Sequence, residues 1–180
     1  MYVIGIAGGT CSGKSTLSEK LEAYYGENCR VFHMDKYFRK PFIKTIAPIT
    51  GIEYVEHNHP DALLLDELYR DFNEELDSGA HKVVIIEGLF ALYLPEILEK
   101  LDLKIYVDLD SDERLVRRIK RFTSMGQTFD EVTSRYIDTV RFRHNELIEP
   151  TRWRADLVIN GNSGDKSVDI VKTYVDSMIK

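Results

Sequence analysis

Residues 8–15 read Gly-Gly-Thr-Cys-Ser-Gly-Lys-Ser, the order of residue types that a polyphosphate cradle requires. Gly8 and Gly13 let the backbone curl until successive N–H groups point inward at phosphate oxygens. A helix starting here adds the positive end of its dipole, about half a charge. Lys14 supplies a mobile ammonium for β- and γ-phosphates, and Ser15 a hydroxyl for Mg²⁺. A chance match to G-x-x-x-x-G-K-[ST] in one chain has a probability of roughly one in a hundred or less. The nucleotide contacts expected of this stretch are Gly8, Gly9, Thr10, Cys11, Ser12, Gly13, Lys14, Ser15 and Thr16. Cys11 is read as a small residue tolerated at a variable position.

Two carboxylates stand where such a cradle could use them. Asp35 follows the apolar run Arg30 to Met34, in a strand expected beside the first one. A carboxylate there can take the proton of an acceptor hydroxyl and aim it in line with a γ-phosphate, worth roughly 10²- to 10⁴-fold in rate. Glu87 follows Val83 to Ile86 and could hold a metal ion or a water bound to it. A solvated turn aspartate and a plain strand-end acid are the bland alternatives. Arg114, Arg117, Arg118 and Arg121 recur at i, i+3, i+4 and i+7, so they share one helix face. Such stripes are usually solvated and paired with acids; in an acidic chain, at a strand's carboxyl end, neutralising a phosphoryl transition state is the better reading.

The elements that must position these groups follow from periodicity. Short apolar runs at 2–7, 30–34, 83–86, 103–107 and 155–159 read as buried strands. Helices are expected from Ser15 to Gly26, from Asp61 to about Leu76, from Ser111 or Asp112, from about Asp130 to Glu149 with Pro150 as the stop, and from Ser167 to Ile179. Asp110 with Glu113 has the pattern of a capping box. Residues 36–58 read as irregular, punctuated by Pro41, Pro48 and Gly51. Strands alternating with helices give a mostly parallel five-stranded α/β sheet with helices on both faces, whose ligands bind at the carboxyl ends of the strands.

The 180 residues fit a single domain, 1–180. With 24 basic and 30 acidic side chains the net charge is −6, which argues against a general nucleic-acid binder. Two cysteines, Cys11 and Cys29, exclude a disulfide framework and paired-Cys zinc patterns. No apolar run approaches the roughly 20 residues of a membrane helix, and the first residues lack signal-peptide character; a cytoplasmic location is expected. The strings D-x-x-G and N-K-x-D of GTPase switches do not occur.

Six blocks in order, GIAGGTCSGKST at 5–16, HMDKYF at 33–38, HNHPDA at 57–62, IIEGLFALY at 85–93, VDLDSDERLVRRIKR at 107–121 and IEPTRWRADLVING at 148–161, make the chain resemble the uridine kinase family, within the wider phosphoribulokinase and uridine kinase group. The resemblance implies a P-loop NTPase-type sheet with a helical lid at about 111–128 and an acceptor-side loop at about 36–60. It implies Asp35 as catalytic base, assisted by Lys14, Arg118 and Arg121, with Ser15 and Glu87 attending Mg²⁺. Asp61 would hydrogen-bond ribose hydroxyls; from the residues alone it reads as a helix N-cap behind Pro60. His59 would be a scaffold residue of that turn. Arg118 would also meet the acceptor, together with Tyr37 and Phe38, while Arg114 would face the nucleotide and the turn 160–164 would lie against adenine.

Two departures concern the acceptor. The family's pyrimidine-gripping β-hairpin has no room in Asp77 to Lys82, and the lid lacks further arginines over 122–127. The 36–58 segment is the expected substitute wall. The expectation is therefore an ATP- and Mg²⁺-dependent enzyme moving a phosphoryl group to a primary hydroxyl of a small molecule, a nucleoside first. The alternatives are another ribosyl or sugar-like acceptor, such as nicotinamide riboside or a phosphorylated sugar, which four basic residues in 36–44 would suit, or a nucleotide-binding regulatory module without turnover. No nucleic-acid or membrane partner is expected, and a homo-oligomer is compatible with the reading.

Overall fold

The computed structural model describes residues 1–179. In chain order the elements are β1 (Tyr2–Gly8), α1 (Lys14–Tyr25), β2 (Cys29–His33), β3 (Lys44–Ile46), β4 (Glu53–Val55), α2 (Leu65–Ser78), β5 (Val83–Glu87), α3 (Pro95–Leu98), β6 (Leu103–Asp108), α4 (Ser111–Ser124), α5 (Phe129–Arg135), α6 (Arg141–Arg143), β7 (Leu157–Asn160) and α7 (Asp165–Met178). Five strands form one parallel sheet in the order β2-β5-β1-β6-β7. Every residue of β1 and β5 is buried, which is why these strands are continuous apolar runs without alternation.

Two apolar layers hold helices against the sheet. On one face Val3, Val84, Ile86 and Tyr106 pack with Leu68 and Phe72 of α2 and with Phe90 and Ile97. On the other, Ile4, Ile6, Ile85 and Ile105 pack with Leu17 and Leu21 of α1 and Val171 and Val175 of α7. Among the described residues, no helix is long and apolar enough to cross a membrane.

The sequence expectations need four corrections. β2 does not lie beside β1, because the fully buried β5 is inserted between them and pairs with both. Asp110 makes no side-chain cap; the capping box forms at α5 instead, between Thr128 and Glu131. Asp61 does not cap α2, which begins four residues later; it sits in a 3₁₀ turn, Pro60–Ala62, where its backbone N–H donates to His59 Nδ1 at 3.3 Å. Residues 36–58 are not irregular throughout: β3 and β4 form an antiparallel hairpin.

The long helix expected over 130–149 exists as a continuous helical run with two wide turns. After α5, Tyr136–Val140 and His144–Ile148 are π-helical, flanking α6, and Glu149–Arg154 closes the run as a 3₁₀ helix containing Pro150. The first wide turn buries Asp138, whose Oδ2 accepts from Thr50 Oγ1 at 2.9 Å and from Tyr54 OH at 2.8 Å. One carboxylate oxygen thus clasps the hairpin. The second buries His144, whose Nε2 lies 3.3 Å from Glu149 Oε2.

Burial, reinforced by the cations Arg114 and Lys14, pushes the His144 pKa down to about 4 from 6.5, outweighing the attraction of Asp108. The unfolded chain then binds this proton more tightly than the folded one. Stability is full above about pH 6.5 and falls as pH drops toward about 4, by about 3 kcal/mol from this group. Urea titrations across that window should show the loss in the native protein and a flatter profile in His144→Asn; identical slopes would remove His144 from the account. A second constraint sits between β7 and α7, where a Cβ on Gly161 would lie 2.1 Å from the Ser12 carbonyl oxygen and 3.3 Å from that of Asp108. Gly161→Ala should destabilise by about 1–3 kcal/mol, read as a lowered denaturation midpoint.

Candidate active site

The loop between β1 and α1 is the floor of a cavity of about 560 Å³ at the carboxyl edge of the sheet, a size typical of small-molecule sites. Its backbone takes φ +145° at Gly8, +59° at Cys11 and +111° at Gly13. These left-handed values fold the loop tightly enough for Ser12 N–H to donate to the Gly9 carbonyl at 3.2 Å. Gly13 caps α1 without any side-chain acceptor, so the first-turn N–H groups are free to meet an anion. Thr10, Cys11, Gly13, Lys14, Ser15 and Thr16 all line the cavity.

Lys14 is buried, and its ammonium donates to the Gly9 carbonyl at 3.1 Å. Burial lowers its pKa most, with Arg114 acting in the same direction, against the raising influence of Glu87, Asp35 and Cys11. Ser15 Oγ donates to Glu87 Oε1 at 3.2 Å, and that same carboxylate oxygen meets His33 Nδ1 at 2.8 Å. The β2–β5 register sets the latter contact by placing His33 opposite Glu87. A hydroxyl and a carboxylate at the mouth of a phosphate loop are hard oxygen donors. They fit Mg²⁺, which takes one or two protein oxygens and fills the rest of its shell with phosphate and water.

Asp35 lies in the 3₁₀ turn after β2 and lines the same cavity. It remains open to solvent, yet the surrounding walls displace enough water to raise its pKa. Lys14, Arg121 and His57 pull the value back down, and Glu87 adds to the rise. From the lid side, Arg117, Arg118 and Arg121 of α4 reach the cavity. Arg118 Nη1 donates to Thr10 Oγ1 at 3.1 Å, and its guanidinium stacks 4.5 Å from the centre of the Phe122 ring. Burial lowers the Arg118 pKa. Arg117 bonds to Asn162 in the turn after β7.

Several expected contacts fall elsewhere. Arg114 is buried and does not line the cavity: its guanidinium lies behind Gly9 and Nε donates to the Leu109 carbonyl at 2.9 Å. Gly8, Gly9 and Ser12 do not line it either; Ser12 is fully buried, its hydroxyl against Gly8. Tyr37 turns away, donating to Asp71 Oδ2 at 3.1 Å while its ring packs on the core. Asp61 is exposed, with Oδ2 3.4 Å from His59 Nδ1. Of the basic residues in 36–44, Lys44 pairs with Glu53 at 2.6 Å and Arg39 donates to the Leu63 carbonyl at 3.0 Å; none lines the cavity.

The rest of the cavity wall is made by Phe38, His57 and Asn58, with Gln127 and Arg135 from beyond the lid. Phe38 is fixed by pairing with Leu63. The His57 ring sits between Phe38 at 5.1 Å and Phe42 at 5.0 Å, and burial, then Arg135, lowers its pKa. Asn58 N–H donates to Glu56 Oε1 at 2.6 Å, and buried Glu56 is anchored by Arg143 Nε at 3.1 Å. Arg135 Nη2 donates to the Val55 carbonyl at 3.3 Å. His57 and Asn58 stand at the head of the HNHPDA block, so a signal for them existed. Arg135 had none, because it reaches the cavity only through the docking of the β3–β4 hairpin on α5.

Comparison with known proteins gives a consistent picture. Residues 73–167 match the family described as Phosphoribulokinase / Uridine kinase. The chain is 31% identical to a uridine kinase of Lactobacillus helveticus over 98% of this chain and 95% of that protein. It is 32% identical to a uridine kinase of Deinococcus deserti, over 99% and 97% respectively. Among solved structures, phosphoribulokinase from Rhodobacter spheroides superposes with a TM-score of 0.63 at 16% identity, covering 88% of this chain and 69% of that one, a likeness of fold.

Proposed function

The chain belongs to the phosphoribulokinase/uridine kinase family, and from that premise we propose that it is an ATP- and Mg²⁺-dependent kinase transferring the γ-phosphate to the primary hydroxyl of a nucleoside. The observation that carries this reading is the convergence of Asp35, Lys14, Ser15, Glu87, Arg118 and Arg121 on one cavity.

Each residue has a role its chemistry supports. The free N–H groups of the loop and α1 bind the β-phosphate, and Lys14 leaves the Gly9 carbonyl to hold β- and γ-oxygens. Ser15 and Glu87 would hold Mg²⁺, which when bound would neutralise phosphate charge. Asp35 accepts the proton of the acceptor hydroxyl, whose oxygen attacks the γ-phosphorus as the bond to the β-phosphate oxygen breaks. Arg118 and Arg121, held over Phe122, stabilise charge on the transferring group and exclude water. Phe38, His57 and Asn58 orient the acceptor.

A second reading, a sugar-like acceptor carrying its own anionic group, is favoured by Arg135. This guanidinium lines the cavity beside His57, with no carboxylate within 4 Å among the described residues.

Acceptor-dependent ADP release over a panel of uridine, cytidine, nicotinamide riboside and sugar phosphates should show strongest stimulation by a neutral nucleoside. Preference for a phosphorylated sugar would favour the second reading, and no stimulation by any alcohol would leave a nucleotide-binding module. Asp35→Asn should lower turnover by about 10²- to 10⁴-fold with ATP affinity nearly unchanged. A variant retaining full rate would take Asp35 out of the mechanism.

A further inference from the structure

Arg114 is 3% exposed, less than any other arginine of α4, and among the described residues it forms no ion pair. Nε donates to the Leu109 carbonyl, whereas Nη1 is buried without a hydrogen-bond partner. Among the described residues, no carboxylate oxygen comes within 4 Å of it. The nearby acids are engaged: Asp108 pairs with Arg152 at 3.1 Å, and Glu149 accepts from Tyr106 OH at 3.0 Å. Of its other titratable neighbours, His144 is held neutral and Lys14 is a cation. Arg143, by contrast, is paired with Glu56 and Glu146; Arg118, the other buried arginine of α4, also has no carboxylate partner among the described residues, but it lines the cavity.

A buried charge without a partner destabilises a fold, and replacing it by an apolar side chain of similar volume is often neutral or stabilising. Its location is the second observation. The guanidinium packs against the phosphate loop, so that a Cβ on Gly9 would lie 2.6 Å from Nη1 and 2.8 Å from Cζ. On the cavity side the Gly9 carbonyl accepts from Lys14. The Gly9 peptide is therefore held between two cations, one facing the cavity and one sealed behind it.

We infer that Arg114 is a positioning residue whose counter-charge is the polyphosphate bound across the loop, so that it weakens the free protein and strengthens the loaded one. This rests on the proposal that residues 8–15 bind a polyphosphate. The field of Arg114 reaches the bound anion through one peptide layer of low polarisability, where a charge acts far more strongly than in water. The residue needs no contact with the nucleoside.

The test uses inorganic tripolyphosphate with Mg²⁺ as the probe, read by thermal unfolding and by titration calorimetry. Native protein should gain Tm on adding the probe. Arg114→Met should have a free-state Tm equal to or above native, a much smaller gain with the probe, and a Kd weakened roughly tenfold or more. Arg114→Lys, which keeps the charge, should retain most of the gain, and Arg114→Gln is read by the same criteria as Arg114→Met should that variant not fold. A folded Arg114→Met or Arg114→Gln with an undiminished gain overturns the inference while leaving the phosphate loop intact. A free-state Tm well below native in both neutral variants makes Arg114 a packing residue and overturns it too. No response of the native protein to the probe removes the phosphate-loop reading itself, and this inference with it.

Discussion

The ammonium of Lys14 is buried, and its partner is a neutral carbonyl, Gly9, at 3.1 Å. Arg117, Arg118, Arg121 and Arg135 line the cavity with it and Arg114 lies behind the loop, against only Asp35 and Glu87 of opposite sign on the cavity wall among the described residues. Such a surplus of positive charge at a concave, partly dehydrated edge is unfavourable for the free protein and favourable for a polyanion. Much of the architecture can be understood as holding that surplus in place. The parallel sheet brings Gly8, His33 and Glu87 to one edge, α1 aims its unsatisfied N–H groups at the same point, and α4 covers it with guanidiniums stacked on Phe122.

The acceptor side is built by a different logic. Where the phosphate side rests on the central sheet, the wall of Phe38, His57 and Asn58 hangs from buried ion pairs and hydrogen bonds. Glu56 is tied to Arg143, and the hairpin tip to Asp138. Each of these anchors lies on the helical run that continues from the lid through α5. The two π-helical turns matter here, because the extra residue per turn rotates Asp138 and His144 inward from what would otherwise be a regular amphipathic surface.

The phosphate side was legible in the sequence because its determinants are local. Eight consecutive residues specify the loop, and strand ends specify Asp35 and Glu87. The arginine spacing likewise put Arg118 and Arg121 on one face, and both line the cavity, but it did not show that Arg114, one turn earlier, lies behind Gly9. Helical periodicity says which residues share a face and not how the helix is rolled against its neighbours. The acceptor side was poorly legible for the complementary reason. Tyr37 and Asp61 sit in the right blocks, yet Tyr37 is drawn toward Asp71 on α2, and Asp61 faces solvent within its 3₁₀ turn. Arg135 depends on the hairpin docking, a contact between segments 80 residues apart in the chain. Even the strand order eluded local reading, since nothing in β2 itself announces that β5 will separate it from β1.

The clasp at Asp138 separates two kinds of inheritance within one domain. The loop and carboxylates of the phosphate side are woven through the central strands. The wall of Phe38, His57 and Asn58, proposed to meet the alcohol, is a short flap fastened at a few points to a neighbouring helix. Such a flap can be lengthened, shortened or rebuilt by evolution, or by an engineer, without disturbing the loop beneath it. The fold thereby keeps one chemistry while leaving the choice of acceptor open to revision.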